Sequence, residues 1–144
     1  MLIRRIKETD RDIYMRMTEE FYSSPAVLHT VPEKFRSDTF EEIIKGSPFA
    51  DCLLFEENGK TVGYALLAKT FSQEAGGTVV WVEELMLMPE YRGKGAGTSF
   101  FEYLKANYPA KRYRLEAEPE NEGAVRLYKR IGFEELGYTQ YVLE

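Results

Sequence analysis

The chain has 144 residues, of which 44% are hydrophobic and 30% charged, and it carries 20 aromatic side chains (9 Phe, 10 Tyr, 1 Trp). That length suits one domain, and that composition excludes intrinsic disorder. The formal net charge of −5 comes from 24 acidic against 19 basic residues, which gives no general attraction for nucleic acid and is hospitable to a cationic small molecule.

Leu2 to Ile6 reads as an opening strand. Thr9 or Asp10 can cap a following helix that ends near Tyr22 and turns Ile13, Met17, Glu20 and Phe21 to one face. Pro25 and Pro32 keep residues 23–32 irregular, and a second helix fits Ser37 to Lys45, stopped by Gly46. The period then changes. Asp51 to Phe55 and Thr61 to Thr70 are strand-like and joined through Asn58-Gly59, a strong hairpin signal. Thr78 to Met88 is a long apolar strand ended by Pro89. After it come a glycine-rich loop and a helix from Gly97 to Asn107. A strand over Arg112 to Ala117, a helix over Glu122 to Arg130 and two short strands, Phe133 to Leu136 and Tyr138 to Leu143, complete the chain. Helices interleaved with strands predict an α/β (α+β) sandwich over residues 1–144 as a single domain.

No apolar run spans a bilayer, the first residues lack a signal-peptide core, and the single cysteine, Cys52, forms no internal disulfide. The expectation is a cytoplasmic protein with no membrane or nucleic-acid partner. No metal-ligand spacing occurs, and Cys52 reads as core. The informative segment is Glu83-Glu84-Leu85-Met86-Leu87-Met88-Pro89-Glu90-Tyr91-Arg92-Gly93-Lys94-Gly95-Ala96-Gly97-Thr98. A strand running through three glycines into a helix start offers free N–H groups and a helix dipole to a phosphate or pyrophosphate. Arg92 and Lys94 add positive charge. A P-loop is ruled out because Gly93-Lys94 is followed by Gly95, not Ser or Thr. The dinucleotide fingerprint fails at Thr98; although Glu116 or Glu118 stands where a ribose-binding acid would be, too little chain follows for the remaining strands.

Arg92-Gly93-Lys94-Gly95-Ala96-Gly97 resembles the Arg/Gln-x-x-Gly-x-Gly/Ala signature of the GNAT superfamily of N-acetyltransferases. Asn121-Glu122-Gly123-Ala124-Val125-Arg126-Leu127-Tyr128 through Gly132-Phe133 resembles a second block of that family. The segment Val82 to Gly93, with its paired acids, is similar to spermidine/spermine and thialysine acetyltransferases. The resemblance implies a mixed sheet of six to seven strands with about four helices, splayed between strands 4 and 5 to admit acetyl-CoA. It implies that backbone groups of Leu85, Met86 and Leu87 meet the thioester and pantetheine, and that N–H groups from Arg92 through Gly93, Lys94, Gly95, Ala96 and Gly97 to Thr98 hold the pyrophosphate. Asn121, Ala124 and Leu127 would flank the pantetheine, and Lys129 or Arg130 would reach the adenosine phosphates.

For the chemistry, the resemblance makes Tyr128 the acid that protonates the departing thiolate; from spacing alone it is equally a core residue of its helix. Strand alternation sends Glu83 and Glu84 to opposite faces, one of them, preferably Glu83, facing a cationic amine. The other reading for these acids is a sheet-surface charge or an Arg partner. His29 and the Phe21-Tyr22 pair stand where the acceptor wall would lie, and Trp81 is either wall or core. The implied activity is transfer of acetyl from acetyl-CoA to a small aliphatic amine (polyamine, diamine or lysine-like) by direct attack in a ternary complex. A protein or peptide acceptor and a non-catalytic acyl-CoA-binding module are the rivals. The family further implies a homodimer, for which the C-terminal strands Phe133 to Leu143 are the candidate interface.

Overall fold

The computed structural model describes all 144 residues. Five strands form one sheet in the order of the chain: β1 (Leu2–Arg5), β2 (Ala50–Glu57), β3 (Lys60–Ser72), β4 (Gly77–Leu87) and β5 (Arg112–Leu115). The first four are antiparallel, and β5 returns parallel to β4. Four helices flank them: α1 (Arg11–Tyr22), α2 (Glu33–Ile44), α3 (Ala96–Asn107) and α4 (Glu122–Ile131). The β2–β3 hairpin turns on Asn58 and Gly59 at φ 50° and 78°, the left-handed pair that its Asn-Gly sequence favours.

The sheet has a core on each face. On one, Tyr14, Met17 and Phe21 of α1 with Phe40 and Ile43 of α2 pack on Cys52, Leu54, Tyr64 and Met86. On the other, Phe100, Phe101 and Leu104 of α3 cover Leu53, Phe55, Ala65, Val80 and Val82. β2 shows the alternation cleanly, Cys52 and Leu54 going one way and Leu53 and Phe55 the other. In α1 the inward positions are Tyr14, Met17, Thr18 and Phe21, so Glu20 points outward, contrary to the sequence expectation. The buried stripe instead takes in Thr18, whose hydroxyl donates to the Tyr14 carbonyl at 2.8 Å, which lets a polar residue be buried. α2 begins four residues earlier than expected, at Glu33 behind Pro32, and so carries Arg36 into the interior.

The predicted strands Phe133–Leu136 and Tyr138–Leu143 do not form, and the sheet has five strands rather than six to seven. Gly132, at φ 110°, ends α4, and Phe133 packs its ring on Phe101 and Tyr128. Beyond it Tyr138, Tyr141, Val142 and Leu143 are exposed. Alternating side chains make a strand only where a neighbour offers a ladder. The segment instead runs past the four-residue β5 and is tied through the Tyr138 hydroxyl to Glu74 at 3.0 Å.

One glycine of the sheet is obligatory for close approach. A Cβ on Gly63 of β3 would strike the Met86 carbonyl and lie 2.9 Å from the Phe55 ring and 3.1 Å from the Leu87 backbone. Gly63→Ala is therefore expected to destabilise the protein by roughly 1–3 kcal/mol, read as a lower urea midpoint; an unchanged midpoint would show that β4 does not press on β3 there.

Candidate active site

The site is built where β4 and β5 part. Their ladder runs from Val79–Arg112 to Val82–Leu115 and stops, while β4 continues against β3 to Leu87. Residues 83–87 therefore have one paired edge and one open edge. The Met88 N–H donates to the Val62 carbonyl at 2.8 Å, so by period two the backbone of Met86 also faces β3, and that of Leu85 and Leu87 faces the open side. Of the three residues expected to offer backbone groups to a thioester, Leu85 and Leu87 are thus aimed at the gap. Met86 has its side chain in the core. The Leu87 carbonyl already accepts from Arg92 Nε at 2.8 Å, which fixes the loop against the strand end.

That loop ends in a row of unsatisfied donors. The Arg92 N–H is used by the Pro89 carbonyl, and Ser99 N–H returns to Gly95. Between them, the N–H groups of Gly93, Lys94, Gly95, Ala96, Gly97 and Thr98 have no acceptor in the chain. Gly93 (φ 72°) and Gly95 (φ 84°) adopt left-handed backbone to present them, and Gly95 caps α3 without a side chain in the way. Gly97 has a different duty: a Cβ there would lie 2.6 Å from Leu127, so it lets α3 and α4 touch. Leu127 accordingly spends its side chain on helix packing and does not line the cleft. The row of N–H groups with the helix dipole behind it can hold a diphosphate.

A cleft of about 330 Å³ opens at the parting of the strands. It brings together Glu83, Glu84, Leu85, Tyr128, Asn121, Ala124 and His29, all singled out in the sequence, along with Phe21 and residues 26–28. Asn121 is the N-cap of α4, its Oδ1 accepting from the Ala124 N–H at 3.4 Å. Tyr128, on the next turns of α4, stands edge-on to Phe101 with ring centroids 6.1 Å apart, and burial raises its pKa. A phenol held there keeps its proton at neutral pH. Tyr22 and Trp81 are not on the wall: Trp81 lies under the Arg114 guanidinium at 4.2 Å, and Tyr22 packs edge-on to Phe21 with ring centroids 5.2 Å apart. Cys52 is fully buried, as expected of a core residue.

Alternation alone would part the two acids, yet both line the cleft. The register across β3 and β4 explains it: Leu66 faces Glu84 and Leu67 faces Val82, leaving Glu83 as the extra residue of a β-bulge. Glu83 is exposed into the cleft. Glu84 is 5% exposed and accepts a hydrogen bond from the Tyr64 hydroxyl at 3.1 Å. Arg36, from α2, directs its guanidinium to the Met15 carbonyl (2.7 Å) and Thr18 and forms no ion pair with Glu84. Burial pushes the Glu84 carboxyl up to about 7, and partial desolvation with the nearby Glu116 carboxylate raises Glu83. Glu116 and Glu118, which the sequence showed only as candidates for a rejected nucleotide motif, also line the cleft. The signal that would have found them is their position just after β5, facing the bulge.

The raised pKa of Glu84 has a thermodynamic consequence. Below its ordinary value of 4.5 the carboxyl is protonated in folded and unfolded chains alike; between that value and about 7 the folded protein keeps a proton the unfolded chain releases. Stability from this group is therefore present at low pH and lost as pH rises through 7. Glu84→Gln, which still accepts from the Tyr64 hydroxyl, is expected to match the wild type near pH 4.5 and exceed it above pH 8 by roughly 1–3 kcal/mol, measured by urea unfolding across pH. A pH-independent difference would refute the buried, proton-holding state.

Comparison with known proteins agrees with this architecture. The model of the acetyltransferase (GNAT) family matches residues 12–133. Mouse thialysine N-epsilon-acetyltransferase is 32% identical over 148 residues, covering 93% of this chain and 84% of the relative. Spermine/spermidine N(1)-acetyltransferase of Bacillus subtilis is 30% identical over 89 residues, covering 58% of this chain and 59% of the relative. In fold, aminoglycoside acetyltransferase AAC(6')-Iy, solved with a CoA-linked bisubstrate analogue, superposes with a TM-score of 0.81 over 99% of this chain and 97% of that one, at 16% identity. The chain belongs to the acetyltransferase (GNAT) family, the acetyl-CoA-dependent N-acetyltransferases.

Proposed function

We propose that the protein moves the acetyl group of acetyl-CoA to the primary amine of a small cationic molecule by direct attack in a ternary complex. The observation that carries this is the adjacency of two features: the free N–H groups of Gly93 to Thr98, and an open β4 edge that leads from them into an acidic cleft containing Tyr128. The first suits a diphosphate, the second an ammonium. A cleft of this volume, walled by residues 26–29, fits a small molecule better than a peptide strand.

Acetyl-CoA supplies the acetyl group as a thioester. Leu85 and the Leu87 N–H align it along β4, and the loop N–H groups with Lys94 hold its diphosphate. Asn121 and Ala124 flank the arm from α4. Glu83, exposed and free of ion pairs, faces the acceptor ammonium and takes its proton directly or through water. The freed nitrogen attacks the thioester carbon, a C–N bond forms and the C–S bond breaks. Tyr128 gives its proton to the departing thiolate, the proton shed by the acylated nitrogen restores the phenol through water, and alignment of the two reactants supplies much of the rate. Glu84 is a positioning residue: buried and held by the Tyr64 hydroxyl, it fixes the β4 bulge from which Glu83 projects.

Release of CoA thiol from acetyl-CoA with spermidine, diamines and other small amines tests the activity, and silence with every amine would overturn it. In the same assay Tyr128→Phe is expected to lower kcat roughly 10²-fold with little change in acetyl-CoA affinity; wild-type turnover would remove Tyr128 from the chemistry. Thr98→Asp puts a carboxylate on the exposed third position of α3, where the dipole favours it. It is expected to leave the melting temperature unchanged or raised while weakening acetyl-CoA binding by at least about tenfold, measured by calorimetry. Unchanged affinity would place the diphosphate elsewhere.

A further inference from the structure

Four carboxylates line the cleft, Glu83 and Glu84 from β4 and Glu116 and Glu118 from the chain leaving β5, and no lysine or arginine lines it. None of the four belongs to any of the nine ion pairs of the chain. The carboxylates of Asp10, Asp51, Glu56 and Glu74, by contrast, are each matched to an arginine. Two cations that approach these acids are spent elsewhere: Arg114, two residues before Glu116, lies on Trp81, and Arg36, which approaches Glu84 from α2, is bonded to α1 carbonyl and hydroxyl oxygens. His29 is the single basic side chain on the wall, and it is exposed.

We infer that Glu116 and Glu118 set acceptor specificity by excluding amines that also carry a carboxylate, so that the enzyme acetylates diamines or polyamines in preference to lysine-like amino acids. This rests on the acetyltransferase reading and narrows its acceptor. With the reacting nitrogen between Glu83 and Tyr128, the rest of a short acceptor lies within the same small cleft, beside Glu116 and Glu118. A second ammonium there meets unpaired carboxylates. An α-carboxylate there meets like charge, with one histidine to receive it, and like charges brought together without a counter-ion are strongly disfavoured. The selectivity differs from the substrate in the name of the mouse relative, thialysine, which has an α-carboxylate.

Two matched pairs isolate that one group: cadaverine against lysine, and bis(2-aminoethyl) sulfide against thialysine. In each pair kcat/KM for the diamine is expected to exceed that for the amino acid by at least about tenfold. The ratio should fall as salt rises, because screening shortens the reach of the carboxylates. Glu116→Gln/Glu118→Gln is expected to bring it to within about threefold of unity, mainly through KM. Turnover of all four amines with ratios near one, or a ratio untouched by the double substitution, overturns the specificity role and leaves the acetyltransferase reading intact. Silence with all four, with acetyl-CoA still bound by calorimetry, overturns both.

Discussion

Everything distinctive in this molecule follows from the end of one hydrogen-bonded ladder. β4 and β5 are held together for four residue pairs and then separate after Val82 and Leu115. Backbone groups inside a sheet demand partners, so an open strand edge at the centre of a protein is costly unless a ligand replaces the missing neighbour. Here the gap turns the edge of β4 into a docking rail. It also frees α4 to bring Asn121, Ala124 and Tyr128 over the opening, and it leaves Glu116 and Glu118 facing the bulge across the gap. Binding, proton delivery and charge are three results of the same parting.

Much of this was legible from residue order. The glycines between Arg92 and Thr98 marked the donor row because glycine takes the two left-handed positions it needs without steric cost. Asn58-Gly59 marked the hairpin, and Asn121 with Tyr128 marked the helix that closes the cleft. What stayed hidden was tertiary. A bulge depends on how many residues two strands insert between the same bonds, so alternation wrongly parted Glu83 from Glu84. Gly97 looked like part of the phosphate loop, but its missing side chain makes room for Leu127. Arg36 and Thr18 are polar residues on helical stripes, and nothing local told that they satisfy one another in the interior. The C-terminal alternation promised strands that the short β5 does not pair.

The two acids of the bulge show how environment divides identical chemistry. Glu84 is buried with the Tyr64 hydroxyl as its hydrogen-bond donor, and burial outweighs that neutral donor, so the carboxyl is pushed up to about 7. Glu83, one residue away, keeps contact with solvent and meets Glu116 instead of a phenol. An anchored acid beside an accessible one lets a strand keep its shape while presenting a reactive group. The phenol that holds Glu84 belongs to β3, the strand paired with the bulge.

The lone cysteine gives the protein a useful optical silence. Cys52 has no exposed surface, and burial raises its thiol well above the ordinary value, so a thiol-reactive dye in the surrounding buffer meets no thiolate on the folded chain. A chromogenic thiol reagent present throughout turnover would therefore record only free CoA, with no background from the enzyme. Without acetyl-CoA, the same reagent would react only as fast as the packed layer between β2 and α1 comes apart, so its slow uptake would clock the opening of the core.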